Sequence, residues 1–390
     1  MKIELKQCLL NDVADITKLA GFEFTKYMKY IDDGEIIAIR ALNLKNGKLV
    51  LDDVKRISKD VSCKLERSQL KKYDIVISYT GTIGECAQIT ENGKYHLAPN
   101  VAKITPKENI DPGYLFQYIR SSIFKNLMKS YCHGSTQPTI PMKVIREIPI
   151  NILSINSQQK IASILSALDN KIELNQKINE NLQRQATALF SSLYNQTNEE
   201  VGLTEIIQIL SGGTPKTGEN SYWNGDIPFF TPKDIGLPYT LSTEKNITKD
   251  GLAHCNSRLY PVNTVFITAR GTVGKVGLSG IPMAMNQSCY ALAGKNTHQL
   301  LVYFYAMKAV DRLKHKASGA VFDAITIKDF ETESIFKLSD TESKAFLCIA
   351  EPFYQTILNN TIENQRLTDL RDSLLPRLIS GELDVSNLDL

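Results

Sequence analysis

The sequence predicts an α+β protein in which two mixed α/β domains alternate with two long helices. Three observations predict this fold class. The chain repeats its landmarks with a period of roughly 184 residues, each repeat opens with many short strand-like segments, and each repeat closes with a long amphipathic run. We therefore expect a duplicated molecule with a pseudo-twofold repeat.

The repeat is clearest at two glycine-containing segments, Thr80-Gly81-Thr82-Ile83-Gly84 and Arg270-Gly271-Thr272-Val273-Gly274. The offset between matched residues falls gradually along the chain: 190 from Gly81 to Gly271, 186 from Asn100 to Asn286, and 185 from Lys143 to Lys328. Loop insertions in a duplicated fold produce such a drift. Two copies of one scaffold with different loops suggest two recognition domains with different targets.

The globular part of each repeat contains short runs of β-branched and apolar residues separated by turn residues. We predict strands at 35–39 and 74–78 in the first repeat and at 227–230 and 264–267 in the second. Asn-Gly pairs at Asn46-Gly47 and Asn92-Gly93 predict turns. In both repeats the Gly-Thr-x-Gly segment follows the second of these strands.

The amphipathic runs have apolar residues at three-four spacing and predict helices of nearly 40 residues, each roughly 55 Å long. Ser157 is the predicted N-cap of the first helix. Ser339 and Glu342 form a capping-box pattern at the start of the second, and Gly381 is its predicted end. Pro352 lies inside the second run, where we expect it to kink the helix or delay its start.

The two apolar stripes are narrow and are interrupted by asparagines, as in coiled coils, where such residues fix the register. The interrupting residues are Asn175, Asn179, Asn181, Asn359, Asn360 and Asn364. If the stripes face each other, the helices run antiparallel and hold the two domains apart. Readers spaced in this way could contact one DNA duplex at patches about one turn apart. A helical hairpin that merely joins two domains would use the same residues.

We assign the first domain to residues 1–150, the central helix to 151–198, the second domain to 199–338 and the C-terminal helix to 339–390. The composition, 43% hydrophobic and 22% charged over 390 residues, is typical of soluble domains. No run of 18 apolar residues and no apolar N-terminal segment occurs, so we expect a cytoplasmic protein without membrane contact. The seven cysteines are scattered without a C-x-x-C pair and predict neither disulfides nor a metal site.

The charge is distributed unevenly along the chain. The formal net charge is +3, and residues 1–150 carry 23 basic and 17 acidic residues, whereas residues 341–390 carry 4 basic and 8 acidic ones. A modest positive charge on a globular domain is compatible with contact to nucleic-acid phosphates. The acidic C-terminal segment is either a solvated helix face or a docking surface for a basic partner.

The sequence contains no recognisable catalytic or cofactor-binding motif of the hydrolase, zinc-protease or dinucleotide-binding kind. Ala350-Glu351-Pro352-Phe353-Tyr354 resembles the signature of amino-methyltransferases, but it lacks the Asn and one Pro and lies in the amphipathic run. The Gly-Thr-x-Gly segments lack the spacing of a phosphate-binding loop. A structural turn and a contact loop remain alternatives, and Arg270 and Lys275 favour nucleic-acid contact in the second repeat. We therefore expect a noncatalytic targeting protein.

The chain resembles the specificity subunit of Type I restriction-modification systems over its whole length. The matching segments are Ser211–Thr217, Tyr222–Phe229, Thr231–Ile235, Gln159–Ala162 with Leu165 and Leu168-Asp169, and Leu370–Gly381. The first repeat lacks the Gly-Gly-Thr-Pro-Lys opening of the second and has Lys18–Lys26 in its place. Its contact loop is correspondingly harder to locate.

The resemblance implies two target recognition domains separated by two antiparallel coiled-coil helices. It implies a noncatalytic subunit that binds double-stranded DNA at an asymmetric bipartite site, one half-site per domain. The partners would be two methyltransferase (modification) subunits and, in the full complex, two motor-endonuclease (restriction) subunits. No cofactor is expected in this chain, because the partners would bind S-adenosylmethionine, and ATP with Mg where an endonuclease subunit is present. A noncatalytic two-domain protein scaffold that reads no DNA is the alternative.

The candidate DNA-contacting residues are polar side chains in corresponding loops of the two repeats. Arg and Asn match the edges of guanine and adenine, whereas lysines more often contact phosphates. The first-repeat candidates are Lys26, Lys29, Arg40, Asn43, Thr80 and Thr82. The second-repeat candidates are Lys216, Thr217, Thr231, Lys233, Asp234, Arg270, Thr272 and Lys275.

Overall fold

A computed structural model describes residues 5–132, 138–236, 238–316 and 324–385 and shows a chain of mixed helices and strands. The chain divides into two compact units. The first comprises Met1–Lys171 with Arg366–Leu390, and the second comprises Ile172–Gln365. Each unit therefore combines one globular domain with a part of both long helices.

The first globular domain contains twelve strands and six short helices in its described residues. The strands are β1 (Lys6–Leu9), β2 (Ala14–Lys18), β3 (Ile36–Ile39), β4 (Leu44–Lys45), β5 (Lys48–Leu49), β6 (Lys55–Ile57), β7 (Gln69–Leu70), β8 (Ile75–Ser78), β9 (Cys86–Gln88), β10 (Tyr95–Leu97), β11 (Val101–Pro106) and β12 (Pro149–Ile152). The helices are α1 (Leu10–Val13), α2 (Gly21–Tyr27), α3 (Lys59–Lys64), α4 (Pro112–Arg120), α5 (Ser122–Ser130) and α6 (Met142–Arg146).

The long central helix and the second repeat follow. The helices are α7 (Ile155–Tyr194), α8 (Leu203–Ile206), α9 (Lys249–Ala253), α10 (Gln299–Lys316), α11 (Ile327–Glu331) and α12 (Asp340–Ile379). The strands are β13 (Glu200–Gly202), β14 (Ile207–Ser211), β15 (Trp223–Phe230), β16 (Tyr239–Thr240), β17 (Lys245–Ile247), β18 (Val265–Thr268), β19 (Val276–Ser279), β20 (Ala284–Met285), β21 (Cys289–Gly294) and β22 (Ser334–Phe336).

The two domains share the central strands of their two main sheets and differ at the sheet edges. In the first, one sheet has the order β2-β11-β8-β9 and another has the order β6-β3-β10-β7. In the second, the corresponding orders are β14-β21-β18-β19-β16 and β17-β15-β20. The pairings β3 with β10 and β15 with β20 are both parallel, and β1 with β12 and β13 with β22 are both antiparallel. The predicted internal repeat is confirmed.

The strand predictions are confirmed with small shifts at the ends. Segments 35–39, 74–78 and 264–267 correspond to β3, β8 and β18, each displaced by one residue at one end or both. The segment 227–230 is the second half of β15, which begins at Trp223 and has a register shift between Trp223 and Ile227 in its pairing with β17. Asn46 and Gly47 both have positive φ and connect β4 to β5, as the Asn-Gly pair predicts.

The long helices each contain 40 residues. The predicted N-cap of α7 is wrong: the helix begins at Ile155, and the Ser154 hydroxyl accepts a hydrogen bond from the Ser157 amide at 3.3 Å. A delayed start at Pro352 is also wrong, because α12 runs unbroken from Asp340 to Ile379. Packing of the surrounding turns outweighs the one backbone hydrogen bond that a proline removes.

The predicted caps of α12 are confirmed. The Ser339 amide donates to Glu342 Oε2 at 2.9 Å, and the Glu342 amide donates to Ser339 Oγ at 3.3 Å. Gly381 adopts φ +72°, and its amide donates to the Leu378 carbonyl. This left-handed residue just after the last helical turn is a common helix C-terminus.

Within the second unit, the two helices pair in antiparallel fashion through asparagines. Asn175 Nδ2 lies 2.7 Å from Glu363 Oε2 and 3.0 Å from Asn364 Oδ1. One turn later, Asn179 Oδ1 accepts a 2.8 Å hydrogen bond from Asn360. As the residue number rises along α7, the residue number of its partner in α12 falls, as it does between antiparallel helices. None of the helices in the described part of the chain has the length and apolarity needed to cross a bilayer.

Candidate nucleic-acid recognition loops

The Gly-Thr-x-Gly segment forms the same turn in both domains. We name residues 80–84 the first Gly-Thr loop and residues 270–274 the second Gly-Thr loop. The first connects β8 to β9, and the second connects β18 to β19. All four glycines have φ between +74° and +83°, a region that other residues rarely adopt, so the turn requires glycine at both positions.

A hydroxyl at the end of the preceding strand holds each loop. Ser78 Oγ accepts a hydrogen bond from the Glu85 amide at 3.1 Å, and Thr268 Oγ1 accepts one from the Lys275 amide at 3.0 Å. The Ser78 hydroxyl also donates to the Thr82 carbonyl, and the Thr268 hydroxyl donates to that of Thr272. The carbonyls of Ser78 and Thr268 accept from Gly84 and Gly274. The two loops therefore have the same internal hydrogen bonds.

Most predicted contact residues of these loops are exposed. Thr82, Arg270, Thr272 and Lys275 are all exposed. Thr80 is half-buried, and its hydroxyl oxygen accepts a 3.0 Å hydrogen bond from Thr139. The backbones of Thr80 and Arg270 each form an isolated antiparallel bridge, to Thr139 and to Ala324.

In each domain, a lysine from a helix that follows the sheet contacts the C-terminal end of the Gly-Thr loop. In the first domain, Lys125 of α5 lies 2.8 Å from Glu85 Oε1, directly after the loop. In the second, Lys314 of α10 donates to the Gly274 carbonyl at 2.8 Å. Sequence reasoning missed both lysines. They are 189 residues apart, close to the 190-residue offset of the loops, so aligning the repeats would have revealed them.

The turn that follows β3 corresponds to the turn that follows β15. Asn43 Oδ1 accepts from the Arg40 amide at 3.1 Å, and Asp234 Oδ2 accepts from the Thr231 amide at 2.8 Å. The Asn43 side chain is fully buried, and its amide nitrogen donates to the carbonyls of Val50 and Asp53. Asn43 therefore fixes the conformation of its own loop and presents no exposed edge to a ligand.

Arg40 and Asp234 are also engaged within the protein. Arg40 Nη2 lies 3.1 Å from Asp53 Oδ1, and the Arg40 side chain is only one-fifth exposed. Asp234 additionally accepts from the Thr231 hydroxyl at 2.6 Å and from the Glu244 amide at 2.7 Å. Lys233 is exposed, with its ammonium 4.0 Å from Glu244. These contacts make the turns rigid and leave Lys233 as their most accessible charge.

In the second domain, the turn after β15 lies against the second Gly-Thr loop. A Cβ atom placed on Gly271 would lie 3.9 Å from Pro232 Cβ, an ordinary van der Waals contact. The structure thus brings together five predicted residues from distant parts of the sequence. They are Thr231, Lys233, Asp234, Arg270 and Thr272.

The remaining candidates occupy the segments that follow β2 and β14. Lys26 and Lys29 are exposed at the end of α2, with Lys26 Nζ 5.1 Å from the ring centroid of Tyr27. Lys216 and Thr217 are exposed, and the Lys216 carbonyl accepts a 3.3 Å hydrogen bond from Trp223 Nε1. Within the described residues, no hydrogen bond or ion pair joins these four side chains to the Gly-Thr loops.

The Gly-Gly pair before Lys216 permits a close approach of backbones. A Cβ atom on Gly212 would lie 2.1 Å from the Asn286 carbonyl oxygen, and one on Gly213 would lie 2.6 Å from the Asn256 amide nitrogen. Gly213 also donates to the Met285 carbonyl at 3.1 Å. These glycines therefore seat the Lys216 segment against the segment that follows β20.

The sequence places a histidine next to a cysteine at Cys132-His133 and at His254-Cys255. His254 stacks on Tyr222 with ring centroids 5.0 Å apart, and its Nδ1 lies 2.8 Å from the Asp250 carbonyl. His133, the neighbour of Cys132, lies outside the described residues. Over residues 5–132, 138–236, 238–316 and 324–385, no group of three or more His, Cys, Asp or Glu side chains has metal-binding geometry.

Comparisons with known proteins agree with the duplicated architecture. The family model of the Type I restriction modification DNA specificity domain matches the chain twice, at residues 3–184 and 195–365. The Type I restriction enzyme HindI specificity subunit of Haemophilus influenzae is 23% identical over 97% of this chain and 99% of that protein. The MjaIX specificity subunit of Methanocaldococcus jannaschii is 24% identical over 73% of this chain and 72% of its own length.

A solved structure supports the fold. The crystal structure of a Type I restriction-modification system S subunit from M. genitalium superposes with a TM-score of 0.63 at 15% sequence identity. The similarity covers 98% of this chain and 97% of that one. The order of two domains and the long helix Ile155–Tyr194 between them are therefore features of a known fold.

Proposed function

Because this chain belongs to the family of Type I restriction-modification DNA specificity subunits, which are noncatalytic recognition components of larger complexes, we propose that it selects an asymmetric bipartite site on double-stranded DNA. Each domain reads one half-site. The observation that carries the proposal is the duplicated Gly-Thr loop, which has the same hydrogen bonds in both domains but different side chains at its two ends.

The difference between the loops supports two distinct half-sites. The backbone turn is preserved, whereas Thr80 and Glu85 in the first domain correspond to Arg270 and Lys275 in the second. Donors and acceptors on exposed side chains are the groups that distinguish base pairs in the major groove. One rigid scaffold with two sets of side chains therefore suits an asymmetric site.

The proposal assigns the chemistry to partner chains. Two modification subunits bind this chain and methylate an adenine with S-adenosylmethionine that they hold themselves. In the full complex, two restriction subunits supply ATP-dependent and Mg-dependent cleavage. In this arrangement the chain contributes recognition, and it works where the genomic DNA is, in the cytoplasm.

The test is a genome-wide map of adenine methylation in cells that express this chain with its cognate modification subunit. Cells with the modification subunit alone are the control. The expected result is a new two-part motif whose halves differ. If the complex assembles but methylation is unchanged, the chain does not direct methylation and the scaffold alternative takes its place.

A binding experiment separates recognition from scaffolding directly. The assembled complex should bind a duplex that carries the mapped motif more tightly than one with either half-site scrambled. Its affinity should also fall with salt, because phosphate contacts release counterions. A protein scaffold would show neither the motif preference nor the salt slope.

A further inference from the structure

Three structurally matched positions set the charge at the two Gly-Thr loops, and two of these positions differ between the domains. The first position is Thr80 or Arg270, at the start of the loop, and the second is Glu85 or Lys275, directly after it. The third is the lysine beneath the loop, Lys125 or Lys314. The first domain thus has one neutral, one acidic and one basic residue, whereas the second has three basic residues.

In the first domain the charges compensate each other. Lys125 Nζ lies 2.8 Å from Glu85 Oε1, and both side chains are about three-quarters buried. Burial raises the pKa of the Glu85 carboxyl, but hydrogen bonds from Lys125 and the Asn46 amide outweigh it and leave the pKa below its usual value. Glu85 is therefore ionised at neutral pH and neutralises Lys125.

In the second domain the described residues place no acidic partner on the basic residues of the loop. The described residues provide no carboxylate ion pair for Arg270, Lys275 or Lys314. Lys314 donates to a neutral carbonyl, that of Gly274, and all three side chains are exposed. Like charges held together on a rigid turn repel one another, and a bound anion relieves this repulsion.

Two neighbouring charges modify the comparison without reversing it. Lys129 acts on Glu85 in the first domain, and Asp234 stands beside Pro232 in the second. The Asp234 oxygens already accept hydrogen bonds from Thr231 and Glu244. With both counted, the group around the second loop keeps the larger positive charge.

Resting on the proposed function, we propose that the second Gly-Thr loop, and not the first, is an electrostatic anchor on DNA: Arg270, Lys275 and the underlying Lys314 bind backbone phosphates at the half-site of their domain. The first Gly-Thr loop makes few phosphate contacts, and its half-site depends on neutral hydrogen bonds. Most of the salt dependence that the loops contribute therefore comes from one half of the bipartite site.

The test measures the affinity of the assembled modification complex for its motif duplex between about 50 and 200 mM KCl. Each lost phosphate contact makes the slope of log affinity against log salt shallower by about 0.9. Over this fourfold range of salt, the loss of affinity then becomes about 3.5-fold smaller. Arg270→Gln, Lys275→Gln and Lys314→Gln should each show this reduction. The triple variant should lose about 40-fold less affinity over the range than the parent.

Matched variants in the first domain are the controls. The double variant Glu85→Gln/Lys125→Gln, which removes both charges of the ion pair, and Thr80→Ala should leave the slope within error of the parent, because neither changes the net charge at the loop. Lys275→Arg and Lys314→Arg keep the charge and should keep the slope, which separates the electrostatic effect from damage to the turn. Near-ultraviolet circular dichroism of each assembled complex reports whether folding is intact.

The possible failures are distinguishable. If the parent complex does not prefer its motif duplex at any salt concentration, the proposed function itself fails. If the parent binds its motif but Glu85→Gln/Lys125→Gln lowers the slope as much as Lys275→Gln and Lys314→Gln, the anchor is not confined to the second Gly-Thr loop. Unchanged slopes in the second-domain triple variant would overturn the inference in the same way.

Discussion

Arg371 Nη1 lies 2.9 Å from Asp169 Oδ1, and this ion pair joins the two long helices within the first unit. Arg120 of α4 approaches the other oxygen at 2.6 Å, and Gln117 donates to it at 2.8 Å. One carboxylate therefore holds both helices and the globular domain together. At the corresponding helix position of the second unit, 185 residues later, Tyr354 packs on Tyr303 instead.

Replacing Asp169 with Asn should destabilise the first unit strongly. Two largely buried guanidinium groups would lose their counter-charge, and removing one partner of a buried pair costs about 3 kcal/mol. The urea midpoint of the transition that involves the first unit reports the loss. Glu91→Gln, which removes the exposed ion pair with Lys94, is the control and should leave the midpoint almost unchanged, because solvent screens an exposed pair. Equal midpoints for both variants would contradict the role of Asp169.

The Asp169 contribution should depend on pH in the acid range. Burial raises the pKa of the Asp169 carboxyl, but Arg120, Gln117 and Arg371 together lower it below the ordinary value. A carboxyl with a lowered pKa in the folded state stabilises the fold above its unfolded pKa, about 3.9, and loses this effect as pH falls through the folded value. The difference in free energy of unfolding between parent and Asp169→Asn should be constant near neutral pH. It should shrink below about pH 4, and an acid-range difference that stays constant would refute this assignment.

We expect the hydroxyls of Ser78 and Thr268, which hold the two Gly-Thr loops, to be needed for recognition of one half-site each. Ser78→Ala leaves the Glu85 amide without its acceptor, and Thr268→Val does the same to the Lys275 amide. An unsatisfied amide costs about 1–3 kcal/mol, so each loop should lose its fixed conformation. We expect Ser78→Ala to weaken discrimination at one half-site and Thr268→Val at the other, measured with duplexes altered in one half-site at a time. Loss at both half-sites in either variant would mean that the domains do not read independently.

The Gly-Gly approach provides a matched pair of glycine variants. Gly212→Ala would place a methyl group 2.1 Å from the Asn286 carbonyl oxygen, so the Lys216 segment must move. Gly218→Ala, in the same segment, meets no atom within 4 Å. Overpacking costs about 1–3 kcal/mol, and we expect Gly212→Ala to lower the melting temperature and the affinity for one half-site. Gly218→Ala should leave both unchanged, and equal effects would contradict the close approach.

The aromatic core of the second unit should tolerate truncation poorly. Phe190 of α7 is 1% exposed, with its ring centroid 4.9 Å from Phe304 and 5.4 Å from Phe346. Phe190→Ala removes these contacts and should cost about 3–5 kcal/mol of unfolding free energy. Phe22→Ala, at a side chain 71% exposed, should change it by less than about 0.5 kcal/mol. Chemical denaturation of both variants measures the difference.

The internal repeat, the two 40-residue helices and the capping box at Ser339 and Glu342 could all be predicted from the amino-acid sequence. These features depend on local periodicity and on residues within a few positions of each other, so they can be predicted from the sequence. It also determined the family, because long ordered segments match across the chain. The start of α7 shows the limit of local signals, since Ser154 and Ser157 both fit a cap and the helix begins directly after the first of them.

Which polar side chains of the loops are exposed and can contact a ligand depends on the tertiary structure. Asn43 and Lys233 look alike in sequence as polar residues after a strand, yet the fold buries the first and exposes the second. It also placed Lys125 and Lys314 beneath the Gly-Thr loops, across about 40 residues of chain. Such contacts arise from how the helix after the sheet packs back onto it. Whether a charge is paired, buried or free is therefore a property of long-range packing that local sequence patterns do not encode.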